Sequence, residues 1–285
     1  MLGSVIGDVV GSRFETQTMI DQPADLLASA CSFTDDTVCI AAVAESLVDG
    51  SPLHACFQRW VLRYPNAEYG GRFKSWALSA DGPPYGSFGN GGAMRVSPAA
   101  LLGSDLEEVA SIATRITVVS HNHPDAVAAA VLLAESIFLA LQGASPEGIR
   151  QHIANRGVTL QSVSAYREIA CFSTDAAATI GPALAASTSA TCFEEAMRQC
   201  IAVGGDTDTI CCMAGGLAEA LFGLPDHLVD RTVPFIPVAA LGALRALYSK
   251  ANRDVLGIRM PDASTVSSPI SQRRSLLQSI GRLWA

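Results

Sequence analysis

Two short acidic clusters, far apart in the chain, share one arrangement of side chains. Residues 34–37 read Thr-Asp-Asp-Thr and residues 206–209 read Asp-Thr-Asp-Thr, and each cluster opens a run of small and apolar residues. Buried carboxylates are unfavourable and repel one another unless cations neutralise them. Carboxylate and hydroxyl oxygens suit magnesium, manganese or calcium better than zinc, so the pattern predicts a site for one or two hard divalent metal ions.

Helix capping is the alternative interpretation of both clusters, because Asp and Thr side chains accept hydrogen bonds at helix starts. Asp36 or Thr37 could cap the helix after the first cluster. Asp206 or Asp208 could cap the helix after the second. A cap uses one oxygen, however, whereas each cluster offers several. Gly204-Gly205 also allows a tight turn that aims two carboxylates at one ion, so the metal interpretation is favoured.

The N-terminal segment repeats glycine at every fourth position, which places Gly3, Gly7 and Gly11 on one helical face. Such a face lets another backbone approach closely, and packing is the favoured role for these glycines. A membrane glycine motif is excluded, because Asp8 interrupts a short segment. Glu15 lies just past this predicted helix, and it is either a pocket residue or a solvated loop acid.

Two further motifs belong to loops. Residues 86–95, Gly-Ser-Phe-Gly-Asn-Gly-Gly-Ala-Met-Arg, form a glycine-rich loop whose backbone N–H groups can hold a pyrophosphate. This loop matches neither the P-loop nor the dinucleotide fingerprint. Residues 120–124, Ser-His-Asn-His-Pro, are not an HNH nuclease motif, because nothing here resembles the ββα-metal unit of that motif. Their predicted role is to structure a helix start or to hydrogen-bond a ligand.

Helices must position these motifs, because apolar residues recur at helical spacing over residues 40–48, 126–141 and 209–221. Strand patterns are scarce, and residues 157–160 are the one modest candidate. With 49% hydrophobic and 16% charged residues, the composition is typical of closely packed helices. The predicted fold class is all-α.

One loop region stands out in this helical pattern. Residues 64–98 are rich in Gly, Pro and aromatic residues, which predicts a long functional loop region. No break in composition divides residues 1–285, so we expect a single domain. The polar tail after about residue 253, with Arg273-Arg274 near its end, carries no functional prediction.

Composition and charge exclude several classes of protein. The net charge is −8 without a Lys/Arg stripe, which argues against a nucleic-acid-binding surface. The sequence has no stretch of about 18 consecutive apolar residues, so no membrane span is predicted. The N-terminus lacks the basic region of a secretion signal. The eight cysteines are scattered, often within apolar stretches, which is typical of reduced core cysteines. We expect a cytoplasmic protein.

The motifs together, in order, are GDxxGxxxE, FTDDT, GSxGNGxAMR, [ST]HxxP and GGDTDT. The set runs from residue 3 to about residue 223 and resembles the ADP-ribosylglycohydrolase family, which includes the dinitrogenase-reductase-activating glycohydrolases. TDDT paired with GGDTDT is the most specific part of the resemblance. The resemblance implies a compact all-α domain with two Mg²⁺ ions, or alternatively Mn²⁺, at the base of a cleft.

The resemblance also implies roles for individual residues, by motif match. The implied metal ligands are Thr34, Asp35, Asp36, Asp206, Asp208 and Thr209. The implied catalytic residues are Asp35, Asp36 and Glu15. The implied substrate-binding residues are Gly86, Ser87, Phe88, Asn90, Gly91 and His121. Arg13, Phe14 and Tyr69 are predicted to select the substrate. No metal-ligand position departs from the family pattern.

The implied reaction is hydrolysis of the glycosidic bond between the distal ribose of ADP-ribose and an acceptor. The metals would orient a water molecule, and Asp35 or Asp36 would accept its proton. The predicted substrate is an ADP-ribosylated protein or another ADP-ribose conjugate, with an arginine linkage as the first guess. One chain can complete such a cleft, so a monomer is expected.

Two other functional classes fit the same residues. A non-catalytic ADP-ribose-binding module would keep the glycine-rich loop and bind without turnover. A two-metal nucleotide phosphohydrolase would use paired metals for phosphoryl transfer. The released product separates these classes, because only the glycohydrolase releases ADP-ribose rather than phosphate or AMP.

Overall fold

A computed structural model describes residues 1–18, 20–80 and 82–252 of the chain, and in this part the backbone forms helices without a sheet. The α-helices are α1 (Leu2–Gly11), α2 (Asp35–Asp49), α3 (Leu53–Arg63), α4 (Gly71–Ala77), α5 (Ala99–Leu102), α6 (Leu106–Val118), α7 (Pro124–Leu141), α8 (Pro146–Asn155), α9 (Val163–Ile169), α10 (Ala176–Ser189), α11 (Phe193–Val203), α12 (Thr207–Phe222), α13 (Asp226–Thr232) and α14 (Val238–Lys250). Short 3₁₀ turns lie at Ser12–Phe14, Asn90–Gly92 and Val233–Phe235. The all-α prediction is confirmed, and the polar tail lies outside the described residues.

Helices α1 and α12 pack with their backbones in contact. A Cβ atom added to Gly7 would lie 2.0 Å from the carbonyl oxygen of Cys211. One added to Gly3 or Gly11 would lie 2.4 Å from a carbonyl oxygen of α12. Only glycine permits this approach, which confirms the predicted packing role. The packing buries every residue of α1 and holds the C-terminal end of that helix beside the start of α12.

The helices predicted from apolar spacing are present and begin earlier than the apolar residues do. Helix α2 begins at Asp35 and α12 at Thr207, so both start within the acidic clusters. Helix α7 begins at Pro124, where proline is well suited to the first helical turn. Acidic residues in a first turn also interact favourably with the helix dipole. The acidic clusters are therefore fixed to the ends of rigid elements.

Helix α14 belongs to the same domain although the sequence beyond residue 237 carries no recognised motif. It packs along α2. The ammonium group of Lys250 donates hydrogen bonds to the carbonyl oxygens of Leu47 and Val48, at 2.8 and 2.9 Å, close to the C-terminus of α2. A cation at this end is favoured by the helix dipole, so α14 supports the helix that carries the first acidic cluster.

The prediction of a strand at residues 157–160 is wrong. Gly157 has a φ of 81° and ends helix α8, and the N–H of Val158 donates to the carbonyl oxygen of Ile153 at 3.2 Å. These bonds close the helix rather than pair two strands. Within the described residues, extended backbone pairs only at two isolated bridges, Thr18 with Gly204 and Gly89 with Asp175.

The prediction of a long loop over residues 64–98 is correct only in part, because this segment contains helix α4. Phe73 and Trp76 lie three residues apart on this helix and are both buried. The Gly- and Pro-rich composition obscures the helix, whereas the burial of two aromatic side chains stabilises it. The remaining loop, around Tyr85 and the glycine-rich motif, borders the site described below.

Helix α7 is long and apolar enough to cross a membrane by length and composition alone. In the structure 61% of the residues of α7 are buried, and α7 packs against α6, α10 and α12. A core helix of a globular domain has this same pattern. The absence of a membrane partner stays a prediction.

Candidate active site

The two acidic clusters meet beside helix α1, where the fully buried Asp8 lies between them. The Asp8 carboxylate accepts hydrogen bonds from the backbone N–H groups of Thr34 and Thr37, at 3.0 and 3.1 Å, and from both threonine hydroxyls. Burial, followed by the charge of Asp208, raises the pKa of Asp8 to about 7. Asp8 therefore fixes the start of α2 and adds a buried carboxyl group to the site.

At the first cluster the helix cap is Thr34 rather than Asp36 or Thr37, as the N–H of Asp36 donates to Thr34 Oγ1 at 3.3 Å. Both aspartates are therefore left for other partners. Asp35 is half-buried, whereas Asp36 is fully buried. Asp36 Oδ1 accepts a hydrogen bond from Thr209 Oγ1 at 3.4 Å, and Asp36 Oδ2 has no hydrogen-bond partner in the structure.

The second cluster follows a turn at Gly204 and Gly205, whose φ angles of 83° and 88° favour glycine. Asp206 precedes α12 without making a side-chain cap bond. Its Oδ2 instead accepts a hydrogen bond from Asn90 Nδ2 at 2.7 Å. Asp208 Oδ1 is buried and has no hydrogen-bond partner among the described residues. Capping therefore does not explain the carboxylates of this cluster.

Glu15 belongs to this site rather than to a solvated loop. Carboxylate oxygens of Glu15, Asp206 and Asp208 lie within 4.8 Å of one another. Backbone hydrogen bonds of 2.8 and 2.6 Å join residues 16–17 to Gly205 and hold the Glu15 loop against the second cluster. The three carboxylates are thus close enough to share a single cation.

Burial raises the pKa of six carboxyl groups in this site, and burial is the largest cause for each. The groups are Asp8, Glu15, Asp35, Asp36, Asp206 and Asp208. The charge of Asp208 is the second cause for Glu15, whose pKa rises to about 7, and for Asp35. Mutual repulsion and two unpaired buried oxygens mark a site that a cation would neutralise. Carboxylates and threonine hydroxyls fit Mg²⁺ or Mn²⁺.

The carboxylates open into a cleft of about 360 Å³. The residues that were predicted for the site and line this cleft are Glu15, Asp35, Ser87, Asn90, Gly91, His121, Asp206, Asp208 and Thr209. Other lining residues include Glu68, Arg72, Phe73, Tyr85, Arg95 and Thr174. The structure therefore brings together motifs from the N-terminal helix, the glycine-rich loop, the segment before α7 and the start of α12.

Four further predicted residues adjoin the cleft without lining it. Thr34 and Asp36 are fully buried at the start of α2. Gly86 and Phe88 are exposed on the glycine-rich loop, on either side of a lining serine. The Phe88 ring is 50% exposed and meets His123 edge to face at 6.0 Å, so both rings are accessible to a ligand that extends beyond the cleft.

The residues predicted to select the substrate do not line the cleft in the described structure. Tyr69 is half-buried, and its hydroxyl donates to the carbonyl oxygen of Tyr64 at 2.9 Å. The Arg13 guanidinium donates to the carbonyl oxygen of Asp25 at 2.6 Å, and Phe14 is buried beneath it. All three side chains are occupied in loop packing, which a motif match does not reveal.

Two hydrogen bonds hold the glycine-rich loop over the cleft. The N–H of Gly86 donates to Asn122 Oδ1 at 2.8 Å, and the N–H of Asn90 donates to the carbonyl oxygen of Thr174 at 2.8 Å. His123 caps helix α7, since its ring accepts a hydrogen bond from a backbone N–H of the first turn. The Ser-His-Asn-His-Pro segment therefore structures a helix start, as predicted, and anchors the loop.

His121 is buried directly against this loop. A Cβ atom added to Gly91 would lie 2.8 Å from His121 Nε2, so glycine is required for the ring to approach. Burial, followed by the charge of Arg95, lowers the pKa of His121 to about 2. The imidazole is therefore neutral at physiological pH.

Asp8, Glu68, Arg72 and Arg95 are site residues that sequence reasoning did not assign. A single acidic residue inside the apolar helix α1 was a detectable signal for Asp8. Arg95 ends the glycine-rich motif and is fully buried, which a sequence pattern alone does not show. Glu68 and Arg72 lie in the segment interpreted as loop, where nothing local distinguishes them from solvated charges.

Comparison with known families identifies the family to which this chain belongs. The family model described as ADP-ribosylglycohydrolase matches residues 1–253, which include both acidic clusters and the glycine-rich loop. This chain belongs to the ADP-ribosylglycohydrolase family. It is therefore an enzyme of the glycosyl hydrolase class, and the match extends through helix α14.

Individual relatives agree with the family match. The chain is 25% identical to ADP-ribosylhydrolase ARH3 of Bos taurus and to that of Homo sapiens, over 79% of this chain and 84% of each relative. Among solved structures it is similar to a chain described as an ADP-ribosylglycohydrolase-related protein complex. That similarity has a TM-score of 0.67 and 26% identity, and it covers 88% of this chain and 95% of the other.

Proposed function

We propose that this family member is a Mg²⁺-dependent ADP-ribosyl hydrolase that cleaves the glycosidic bond between the distal ribose of ADP-ribose and an acceptor. One observation carries the proposal. Asp36 Oδ2 and Asp208 Oδ1, from the two acidic clusters, are both buried without a hydrogen-bond partner among the described residues, and burial raises the pKa of both carboxyl groups. Such oxygens are unfavourable without a cation, and the family match supplies the reaction.

The residues that would hold two Mg²⁺ ions come from both clusters, with Mn²⁺ as the alternative ion. They are Thr34, Asp35, Asp36, Asp206, Asp208 and Thr209, and the proximity of Glu15 to the second cluster adds it to this set. When bound, the ions would supply Lewis acidity toward water and ribose hydroxyls. One chain supplies all of these side chains, which supports a monomer as the proposed working unit.

Asp35 is the proposed acceptor of the proton from the attacking water. It lines the cleft and is half-buried, whereas Asp36 is fully buried and hydrogen-bonded to Thr209. A general base must reach the proton that it removes, which favours Asp35. Glu15 faces the second cluster and is proposed to orient the substrate or a ligand there. Asn90 holds Asp206 in place through its amide.

The glycine-rich loop is proposed to orient the diphosphate of the substrate. Ser87 and Gly91 line the cleft, and the loop is fixed by its hydrogen bonds to Asn122 and Thr174. A fixed loop holds the reacting ribose close to the carboxylates without contributing chemistry itself. Gly86 and Phe88, which the motif match assigns to substrate binding, are exposed beside these lining residues and are therefore accessible to the substrate.

The acceptor side of the substrate is proposed to be cationic, with an arginine linkage as the first to test. Glu68 lines the cleft and is exposed, and its charge contributes to the raised pKa of Glu15. Glu68 also has a φ of 63°, an uncommon conformation for a non-glycine residue. A carboxylate at this position would pair with a guanidinium group on a bound substrate.

The test is incubation of the full chain with ADP-ribosyl-arginine and ADP-ribosyl-serine peptides, with Mg²⁺ or with EDTA. We expect release of free ADP-ribose that EDTA abolishes, and Asp35→Asn should reduce it by at least about a hundredfold. Glu107→Gln, an exposed acid of α6 outside the site, is the matched control. Release of AMP or phosphate would instead establish a phosphohydrolase. ADP-ribose binding without any release would establish a binding module.

A further inference from the structure

His121 is held on one side by its neighbour in the chain and is open on the other. Its Nδ1 lies 2.8 Å from Ser120 Oγ. Its Nε2 forms no hydrogen bond with a described residue and lies on the side of the ring that meets Gly91. Because His121 and Gly91 both line the cleft, Nε2 is available to a ligand there.

Arg95 determines which hydrogen bonds the Ser120 hydroxyl can accept and donate. The guanidinium is fully buried, and its Nη2 donates to Ser120 Oγ at 2.7 Å and to the carbonyl oxygen of Ile116 at 3.1 Å. Its Cζ lies 4.5 Å from the centroid of the Phe57 ring, and a cation is stabilised by such a ring face. Arginine is only a donor, so Ser120 Oγ must accept from it.

Hydrogen-bond accounting then assigns the proton on the imidazole. The Ser120 hydroxyl accepts from Arg95 and has one hydrogen of its own to donate, and His121 Nδ1 is the acceptor within reach. With the opposite tautomer, Oγ would accept two hydrogen bonds and its own hydrogen would have no acceptor among the described residues. A buried unsatisfied donor is unfavourable, so Nδ1 is unprotonated and Nε2 carries the hydrogen.

We infer that Arg95 and Ser120 are positioning residues that hold His121 in the Nε2–H tautomer, so that the ring presents a neutral N–H donor to a phosphate or ribose oxygen in the cleft. The ligand of this inference is the ADP-ribose of the proposed function. A fixed neutral N–H donor selects ligand oxygens that accept a hydrogen bond and adds no charge to the site. It also needs no reorientation when the ligand binds, which lowers the entropic cost of binding.

The tautomer is measured directly, without activity, in the full chain labelled with ¹⁵N-histidine. Two-bond ¹H–¹⁵N correlation spectra distinguish a protonated from an unprotonated ring nitrogen for each of the five histidines. His121→Gln identifies the His121 signals by their loss. We expect the unprotonated signature at Nδ1 and the protonated one at Nε2 at neutral pH, in the presence of Mg²⁺.

Two substitutions at Ser120 test the hydrogen-bond chain from Arg95 through Ser120 to His121 without removing the buried arginine. Ser120→Ala removes the hydroxyl and should shift the tautomer populations, whereas Ser120→Thr keeps the hydroxyl and should restore the native signature. Calorimetry with ADP-ribose should show a Kd about five- to tenfold higher for Ser120→Ala, as expected for one weakened hydrogen bond. Ser136→Ala is the matched control, because Ser136 is a buried serine of α7 that bonds only a backbone carbonyl outside the cleft.

Several results would overturn the inference. A protonated Nδ1 in the native chain, or an unchanged tautomer in Ser120→Ala, would contradict the role of Arg95 and Ser120 in holding the tautomer of His121. A shifted tautomer with an unchanged Kd would contradict the role of Nε2 as a ligand donor. Failure of the native chain to bind ADP-ribose, with the Nε2–H signature present, would count against the ligand and the proposed function but leave the tautomer assignment established.

Discussion

At the scale of single residues, Asp8 is the side chain on which the geometry of the site most depends. It is not a proposed metal ligand, yet four hydrogen bonds from Thr34 and Thr37 converge on its carboxylate. These bonds set the direction in which Asp35 and Asp36 leave the start of α2. An amide in place of the Asp8 carboxylate would donate where a carboxylate oxygen accepts, so at least one N–H or O–H group of the first cluster would lose its acceptor.

Asp8→Asn should therefore disrupt metal binding more than it disrupts the fold. The loss of an acceptor for a buried N–H or O–H group of the first cluster costs about 1–3 kcal/mol of stability, whereas the loss of charge relieves repulsion with Asp208. We expect the rise in Tm on adding Mg²⁺ to shrink and ADP-ribose release to fall at least about tenfold. Thermal unfolding with and without Mg²⁺ measures this, with Glu107→Gln as the control. A native-like response to Mg²⁺ would show that Asp8 does not organise the site.

Glu68 allows a prediction about specificity. If its carboxylate pairs with a guanidinium acceptor, Glu68→Gln should lower kcat/KM for the ADP-ribosyl-arginine peptide by about five- to tenfold and leave the serine peptide unchanged. The two substrates are compared with the same enzyme preparation, so loss of folded protein would affect both equally. Equal effects on both peptides, or none, would assign Glu68 a role unrelated to the acceptor.

At the scale of helices, the sequence was sufficient to predict where the clusters lie but not what surrounds them. Apolar periodicity predicted α2, α7 and α12, and the acidic motifs lie at the starts of α2 and α12. Helix α4 was missed, because glycine and proline around it outweighed two buried aromatic residues in the pattern. Which charged residues of that segment line the cleft depends on tertiary packing, which no local signal reports.

The contact between α1 and α12 yields a prediction at this scale. Gly7→Ala would place a methyl group 2.0 Å from the carbonyl oxygen of Cys211, so the two helices must separate. Overpacking of this kind costs about 1–3 kcal/mol or more and would also move Asp8 away from the first cluster. Urea unfolding should show the lower stability, and activity should fall with it. Gly242→Ala is the control, because this exposed glycine of α14 has open space around it and alanine should stabilise the helix by up to about 1 kcal/mol. Native stability of Gly7→Ala would contradict the close approach.

At the scale of the whole molecule, the site draws on both ends of the described chain. Helix α1 and the start of α12 are adjacent in space, and α14 braces the helix that carries the first cluster. All eight cysteines are free, and six of them are buried, in agreement with the expectation of reduced core cysteines. The cytoplasmic location and the extension of the single domain to residue 285 stay predictions, and the family match ends at residue 253.

The concentration of carboxylates makes stability depend on pH and metal together. Burial raises the pKa of Asp8 from 3.8, and that of Glu15 from 4.5, to about 7 in the folded protein. A folded state that keeps protons which the unfolded state releases loses stability as pH rises, here from about pH 4 to pH 7. The exposed acids Asp25 and Asp49 have lowered pKa values and act in the opposite direction, below about pH 4. Burial lowers the pKa of His121 and His152, which also oppose the loss up to about pH 6.5, but these two imidazoles are outnumbered by the six carboxyl groups with raised pKa values. In EDTA, urea unfolding should therefore give a lower free energy of unfolding at pH 8 than at pH 5. Mg²⁺ bound as proposed would neutralise the carboxylates in the folded state, and protons would compete with it, so the stabilisation by Mg²⁺ should grow over the same range. A metal-free stability that is flat between pH 5 and pH 8, or a Mg²⁺ effect that is independent of pH, would mean that the cluster is not a cation site.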